Sequence, residues 1–170
     1  MRVISAVSIA VFAVLQIAAA GAQDAWREFR SDADGFSVEL PATPVVSARR
    51  IGKSEATQTN FLIERGPVAY LVSVIQLAKG NGPKKPDNGY YQGLMKNYTE
   101  GSKTVLRSTR MTTLAGHPAM QGVSDAAEAA HVVDLTAVGD RIYMVVYAGH
   151  KGDEVGKDAA RFRDSFKLLD

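Results

Sequence analysis

The three histidines are the residues whose chemistry could support acid–base catalysis or metal binding. They are His117, His131 and His150, and no two of them lie three or four residues apart. Two ligands on one helix face need that spacing, and the chain has no cysteine that could supply a thiolate. The sequence therefore predicts no metal site and no bound cofactor.

One histidine could serve as a general base. His131 would do so if folding placed it beside Asp134 or Glu128, because a carboxylate orients an imidazole and stabilises its protonated form. The chain contains neither Gly-x-Ser-x-Gly nor His-Glu-x-x-His, so no nucleophile or zinc motif accompanies this histidine. We predict a protein without catalytic residues, and an exported hydrolase that uses His131 is the alternative.

Three tyrosines mark a possible binding groove. Tyr90, Tyr91 and Tyr98 fall in one predicted helix, and tyrosine joins a large apolar ring to a polar hydroxyl. Tyr90 and Tyr91 are adjacent, so a helix points them about 100° apart and one of them can reach the rim of a groove. Packing of these rings in the core is the competing interpretation.

The segment before that helix is rich in glycine, proline and lysine. Residues 78–86 read AKGNGPKKP, a composition typical of a flexible connection. Lys79, Lys84 and Lys85 could close over an anionic ligand, or they could simply be solvated. Together with the tyrosines they form the predicted groove for a ligand or partner.

Alternation of apolar and polar residues predicts β-strands along most of the remaining chain. The predicted strands are 26–30, 36–40, 45–50, 57–64, 68–77, 104–114, 119–124, 130–138 and 141–148. Gly139 and Asp140 predict a two-residue hairpin turn between the last two strands. The final strand is apolar on both faces, with Tyr143 and Val145 on one face and Met144 on the other, so we expect it at the centre of the sheet.

Two helices are predicted among these strands. Asp87 is a suitable cap for the first helix, and Gly101 is a natural stop. Asp153 is the predicted cap of the second helix, whose apolar stripe consists of Val155, Ala159, Phe162 and Phe166. Several strands with two separate helices predict an α+β fold with a mainly antiparallel sheet.

The amino terminus has the three parts of a secretion signal. Arg2 precedes an apolar run from Val3 to Ala20, and Ala20-Gly21-Ala22 supplies small residues for cleavage. We expect cleavage after about Ala22, which leaves one globular domain over 23–170 in the periplasm or outside the cell. The alternative is an uncleaved membrane anchor, because about 20 apolar residues can span a bilayer.

Charge argues against nucleic acid as a partner. The net charge is +2, and removal of Arg2 with the leader lowers it to +1, without any run of basic residues longer than two. Nucleic-acid binding needs a clustered basic footprint. The predicted partner is an envelope protein or a small ligand, with no membrane contact after cleavage and no disulfide.

Three motifs lie near the ends of the domain: Trp26-x-x-Phe29, Gly35-Phe36-Ser37-Val38-x-Leu40-Pro41-x-x-Pro44 and Phe162-x-x-Ser165-Phe166-x-Leu168. They resemble motifs of exported bacterial domains with a PsbP-like fold. The fold is named for an extrinsic subunit of the photosynthetic oxygen-evolving complex. The resemblance implies an α-β-α sandwich and a docking role, and its motifs contain no catalytic residue.

Overall fold

A computed structural model describes residues 26–52 and 55–169. The predicted leader and its cleavage site lie outside these residues. The strands are β1 Arg27–Ser31, β2 Phe36–Leu40, β3 Val45–Arg50, β4 Thr57–Arg65, β5 Val68–Gln76, β6 Val105–Leu114, β7 His117–Asp125, β8 Ala129–Val138, β9 Arg141–His150 and β10 Lys167–Leu168. The helices are α1 Asn88–Ser102, α2 Lys157–Asp164 and a short 3-10 helix, Asp153–Val155.

The strands form two antiparallel sheets. Seven of them pair in the order β3-β4-β5-β9-β8-β7-β6, and a smaller sheet has the order β1-β2-β10. The predicted hairpin turn is confirmed, because Val138 pairs with Arg141 and Gly139 takes a φ of 56° between them. The α+β class and the antiparallel sheet are thus as the sequence predicts.

Strand β9 lies at the centre of the larger sheet and is covered on both faces. Val145 and Tyr147 belong to a hydrophobic cluster that also contains Phe162 of α2. Val146, which points the other way, belongs to a second cluster with Met95 of α1. Because neighbouring strand residues point to opposite faces, the two helices cover opposite faces of the sheet.

The small sheet shares the α2 face of the larger sheet. The Phe36 ring lies 5.0 Å from that of Phe61 on β4 and 5.7 Å from that of Phe166, measured between ring centroids. Trp26 packs edge-on against Tyr70 at 5.5 Å. The aromatic residues of the two terminal motifs therefore meet in one cluster, which explains why both ends of the domain carry them.

Helix α1 begins as predicted and ends two residues later than predicted. The Asp87 carboxylate accepts a hydrogen bond from the Tyr90 backbone N–H at 2.8 Å, which caps the first turn. The helix continues past Gly101, and Lys103 ends it in the left-handed region with a φ of 56°. The Thr104 N–H then bonds the carbonyl of Thr99, as in common helix endings of this type.

The predicted cap of the second helix is wrong. Asp153 starts the separate 3-10 helix, and its carboxylate accepts from the backbone N–H of His150. Helix α2 starts only at Lys157, after Gly156 in an extended conformation that breaks the helical path.

The interruption also changes the predicted apolar stripe. Ala159 and Phe162 are fully buried on α2, and Phe166 is buried beyond the end of the helix. Val155 is 85% exposed, because it belongs to the 3-10 helix and does not share the α2 face. Three of the four predicted stripe residues are therefore core residues.

A bulge in β6 ties this edge strand to the segment before α2. Arg107 is skipped in the register between β6 and β7. Its guanidinium donates to Glu154 of the 3-10 helix at 2.8 Å and to Asp125 of β7. Glu154 also accepts from the Gly152 N–H, so the buried carboxylate is fully engaged and holds the start of α2 beside the sheet.

Helix α1 packs on β7 at a glycine, and this contact can be tested. A Cβ atom on Gly122 would overlap the sulfur and terminal methyl of Met95, which is fully buried. We expect Gly122→Ala to lower the free energy of unfolding by about 1–3 kcal/mol, measured by urea denaturation. The cost should be smaller in a Met95→Ala background, and equal costs in both backgrounds would contradict the contact.

The control is a glycine on the exposed side of helix α1, the helix that packs on Gly122. A Cβ on Gly93 would meet no atom within 4 Å. Gly93→Ala should therefore raise stability by about 0.5–1 kcal/mol, because alanine loses less backbone entropy in a helix.

Candidate functional site

The predicted tyrosines occupy different environments. Tyr91 is fully buried, and its hydroxyl donates to the Pro118 carbonyl at 2.7 Å and accepts from the Ala137 N–H. It is therefore a core residue and presents no surface to a ligand. Tyr90 lies half-buried beside it, and partial burial raises the pKa of its hydroxyl.

The third tyrosine is paired with a histidine. Tyr98 and Nδ1 of His131 lie 2.7 Å apart. Burial raises the pKa of the Tyr98 hydroxyl, which therefore keeps its proton in the hydrogen bond with the imidazole. Burial lowers the pKa of His131, so the neutral ring is favoured.

The structure separates His131 from the carboxylate proposed as its partner. His131 and Val133 lie on the α1 face of β8, while Asp134 lies on the α2 face and pairs with Arg163. Glu128 is exposed just before β8. The His131 ring is therefore bonded to a tyrosine and is not part of a histidine–carboxylate pair.

The lysine-rich segment is tied to the turn between β8 and β9. The Asp140 carboxylate accepts from the backbone N–H groups of Gly80 and Gly82 at 2.8 and 2.7 Å. These two bonds lower the pKa of Asp140. The segment is thus held at the end of the sheet where α1 begins.

This placement keeps the predicted groove residues apart. Lys84 and Lys85 are exposed before α1, and Lys79 is exposed beside Gly80. Tyr98 lies in the final turns of α1, eight residues or about 12 Å beyond Tyr90 along the helix. The lysines and Tyr98 therefore lie at opposite ends of α1 and do not line one groove.

A row of polar side chains crosses the other face of the sheet, and sequence analysis missed it. Arg110 of β6 donates through Nε to the Gln121 side-chain oxygen at 3.0 Å. Gln121 of β7 donates through its amide nitrogen to Asp134 of β8 at 2.9 Å. The Nε of Arg163, at the end of α2, bonds the second oxygen of Asp134. We call these four residues the polar row.

The polar row forms the floor of a groove of about 340 Å³. The groove lies between β6 and the carboxyl-terminal end of α2. Its other lining residues are Thr112, Thr113, Leu114, Ala115, Asp164 and Phe166. Asp134 and Gln121 are buried, whereas Arg110 is exposed and Asp164 stands on the rim. The groove therefore combines fixed guanidinium groups with two threonines.

Strand register brings the polar row together. Arg110 pairs with Gln121, and Gln121 pairs with Asp134, so the three side chains point to one face in successive strands. Asp134 interrupts the apolar stretch of β8, which was the available sequence signal: a lone carboxylate in a strand that should be buried. A buried carboxylate is tolerated only when it is hydrogen-bonded, as it is here on both oxygens.

Two further depressions lie on the surface of the described residues. In the depression of about 550 Å³ near β10, Arg141 donates to Gln76 and to the Ala33 carbonyl, and Asp140 holds the lysine-rich segment. A third, of about 370 Å³, lies beside Tyr147 and the start of α2. The groove over the polar row differs from both, because Arg110 bonds Gln121 and Arg163 bonds Asp134 at its buried floor.

Residues 26–52 and 55–169 contain no group of three or more histidine or acidic side chains that could hold a metal ion. None of the helices in this part of the chain is both long and apolar enough to cross a membrane.

Known structures resemble this chain in fold. The solution structure of cyanobacterial PsbP (CyanoP) from Synechocystis sp. PCC 6803 matches 91% of this chain and 99% of its own, with a TM-score of 0.59 and 11% identity. The PsbP-like fold predicted from the terminal motifs is therefore confirmed. A crystal structure from Bacteroides thetaiotaomicron is 14% identical over 84% of this chain and 48% of its own, and its TM-score is only 0.37. No family model and no curated protein matches the chain.

Burial of His131 predicts a pH dependence of stability. The folded chain binds a proton on this ring less readily than the unfolded chain, whose pKa is near the ordinary value of 6.5. The free energy of unfolding should therefore fall as the pH drops below that value. Urea denaturation at about pH 7.5 and about pH 5.5 measures the loss.

The matched variant is His131→Asn, whose side-chain amide can still hydrogen-bond Tyr98 but does not titrate. Its loss of stability between the two pH values should be smaller than that of the unchanged protein. Identical losses in the two proteins would show that His131 does not contribute.

Proposed function

We propose that the chain is an exported, non-enzymatic binding or accessory domain of the bacterial cell envelope. It docks a protein or a small ligand in the groove over the polar row. The observation that carries this proposal is the convergence of Arg110 and Arg163 on one buried Gln121–Asp134 pair at the floor of an open groove. Such rigidly held donors favour recognition over a purely structural role.

The surroundings of the histidine support a binding role over hydrolysis. The ring of His131 is bonded to Tyr98 and lies on the face opposite Asp134. A general base needs a reacting group within hydrogen-bond reach and a partner that stabilises its charge. The tyrosine supplies neither the negative charge nor the nucleophile of a hydrolytic site.

The PsbP-like fold supports the same proposal at the level of architecture. We propose that the layers form the α-β-α sandwich, with α1 on one face of the larger sheet and α2 with the small sheet on the other. The two hydrophobic clusters, which lie on opposite sides of β9, support this layering.

Export is tested by the mass of the protein recovered from expressing cells. We expect the envelope fraction to contain a chain that begins at about Gln23, because Ala20-Gly21-Ala22 suits signal peptidase. Intact-mass spectrometry gives the terminus directly. A chain that retains Val3 to Ala20 and remains with the membrane would establish the anchored alternative.

Docking in the groove is tested by quantitative crosslinking of tagged protein in the envelope fraction. Arg110→Ala should lower the yield of specific crosslinked products several-fold, because this arginine is exposed and reaches the groove. The control is Arg50→Ala, an exposed arginine on the opposite edge strand of the same sheet. Equal yields from Arg110→Ala and Arg50→Ala would place docking elsewhere and overturn the proposal.

A further inference from the structure

We infer that the groove over the polar row binds a small organic carboxylate through the outer nitrogens of Arg110 and Arg163. The inference rests on the proposed binding function and names the ligand class of that same site. It follows from which hydrogen-bonding atoms the polar row uses and which it leaves available.

Both guanidinium groups are held by one nitrogen only. Arg110 uses Nε toward Gln121, and Arg163 uses Nε toward Asp134. Within the described part of the chain, the two terminal η nitrogens of each arginine have no hydrogen-bond partner. Each arginine therefore keeps a planar set of N–H donors, and its orientation is already fixed.

In Gln121 and Asp134, by contrast, every polar side-chain atom already makes a hydrogen bond. The Gln121 oxygen accepts from Arg110, so its amide must donate, and it donates to one Asp134 oxygen. The other Asp134 oxygen bonds Arg163. The floor of the groove therefore offers mainly arginine N–H donors to a ligand.

Charge and size select among anions. Asp134 balances one of the two arginines, and the floor keeps a single unbalanced positive charge. Asp164 on the rim makes no ion pair within the described residues; it brings the charge of the whole lining to zero and repels a second negative charge on the ligand. A monocarboxylate therefore meets this pattern better than phosphate, which is partly a dianion near neutral pH. A groove of about 340 Å³ suits a small molecule.

Two arginines also match the shape of a carboxylate. Its two oxygens can each accept from one N–H of a planar guanidinium, and such paired bonds are stronger and more directional than those of an ammonium. Thr112 lines the same groove and shares the strand face of Arg110, so its hydroxyl can bond a further polar atom of the ligand.

The experiment is an NMR titration of the isotope-labelled mature protein with sodium butyrate at constant ionic strength. Butyrate should shift the amide signals of β6, β7 and β8 around the polar row in a saturable manner, with millimolar affinity expected for so small a ligand. Arg110→Lys retains the positive charge and loses the planar fork, and it should weaken binding by about tenfold. Arg50→Lys, on the opposite edge strand, should leave the affinity unchanged.

Two outcomes overturn the inference. One is affinity in Arg110→Lys equal to that of the unchanged protein, and the other is inorganic phosphate that binds as tightly as butyrate. Arg163→Lys keeps a cation beside the buried Asp134 and serves as a second variant, with its fold verified from the same spectra. Absence of saturable shifts, combined with crosslinking that still depends on Arg110, would reject the carboxylate and leave the docking function standing.

Discussion

Strand β9 imposes the main constraint on this structure, because neither of its faces can be left in water. Tyr143, Val145 and Tyr147 point to one side and Val146 to the other, and all four are buried. A strand of this kind requires a cover on each side of the sheet. Helix α1 supplies one cover, and α2 with the small terminal sheet supplies the other. The order of the remaining elements follows from the need to bring both covers back over the centre.

The two covers differ in extent, and this difference creates the candidate site. Helix α1 contacts β6, β7 and β8, whereas α2 contacts β9 and β2 and is only eight residues long. The α2 face of β6 to β8 is therefore left partly open beyond the end of α2. Side chains at this margin cannot be purely apolar, and Arg110, Gln121 and Asp134 occupy it as a hydrogen-bonded row. The groove is thus a consequence of a short helix on a wide sheet.

The two faces also divide the polar residues that could do chemistry. On the α1 face, His131 and Tyr98 form a partly buried neutral pair, which fits a role in packing. On the α2 face, Asp134 is held by Gln121 and Arg163, and the η nitrogens of Arg110 and Arg163 have no partner within the described residues. Strand alternation keeps these two sets apart, so the histidine and the carboxylate that are three residues apart in the sequence cannot act together.

The sequence by itself determined the local features, because each depends on the period and chemistry of neighbouring residues. These features include nine of the ten strands, the two-sided β9, the turn at Gly139, the cap at Asp87 and the terminal motifs of the PsbP-like fold. Only the tertiary structure decided that Tyr91 is buried, that the helix predicted from Asp153 is interrupted at Gly156, and that the lysines lie away from Tyr98. Of the polar row, the sequence indicated only the carboxylate of Asp134 in an apolar strand. The residues of the row come from three strands and a helix, and only strand register and the position of α2 set the distances between them.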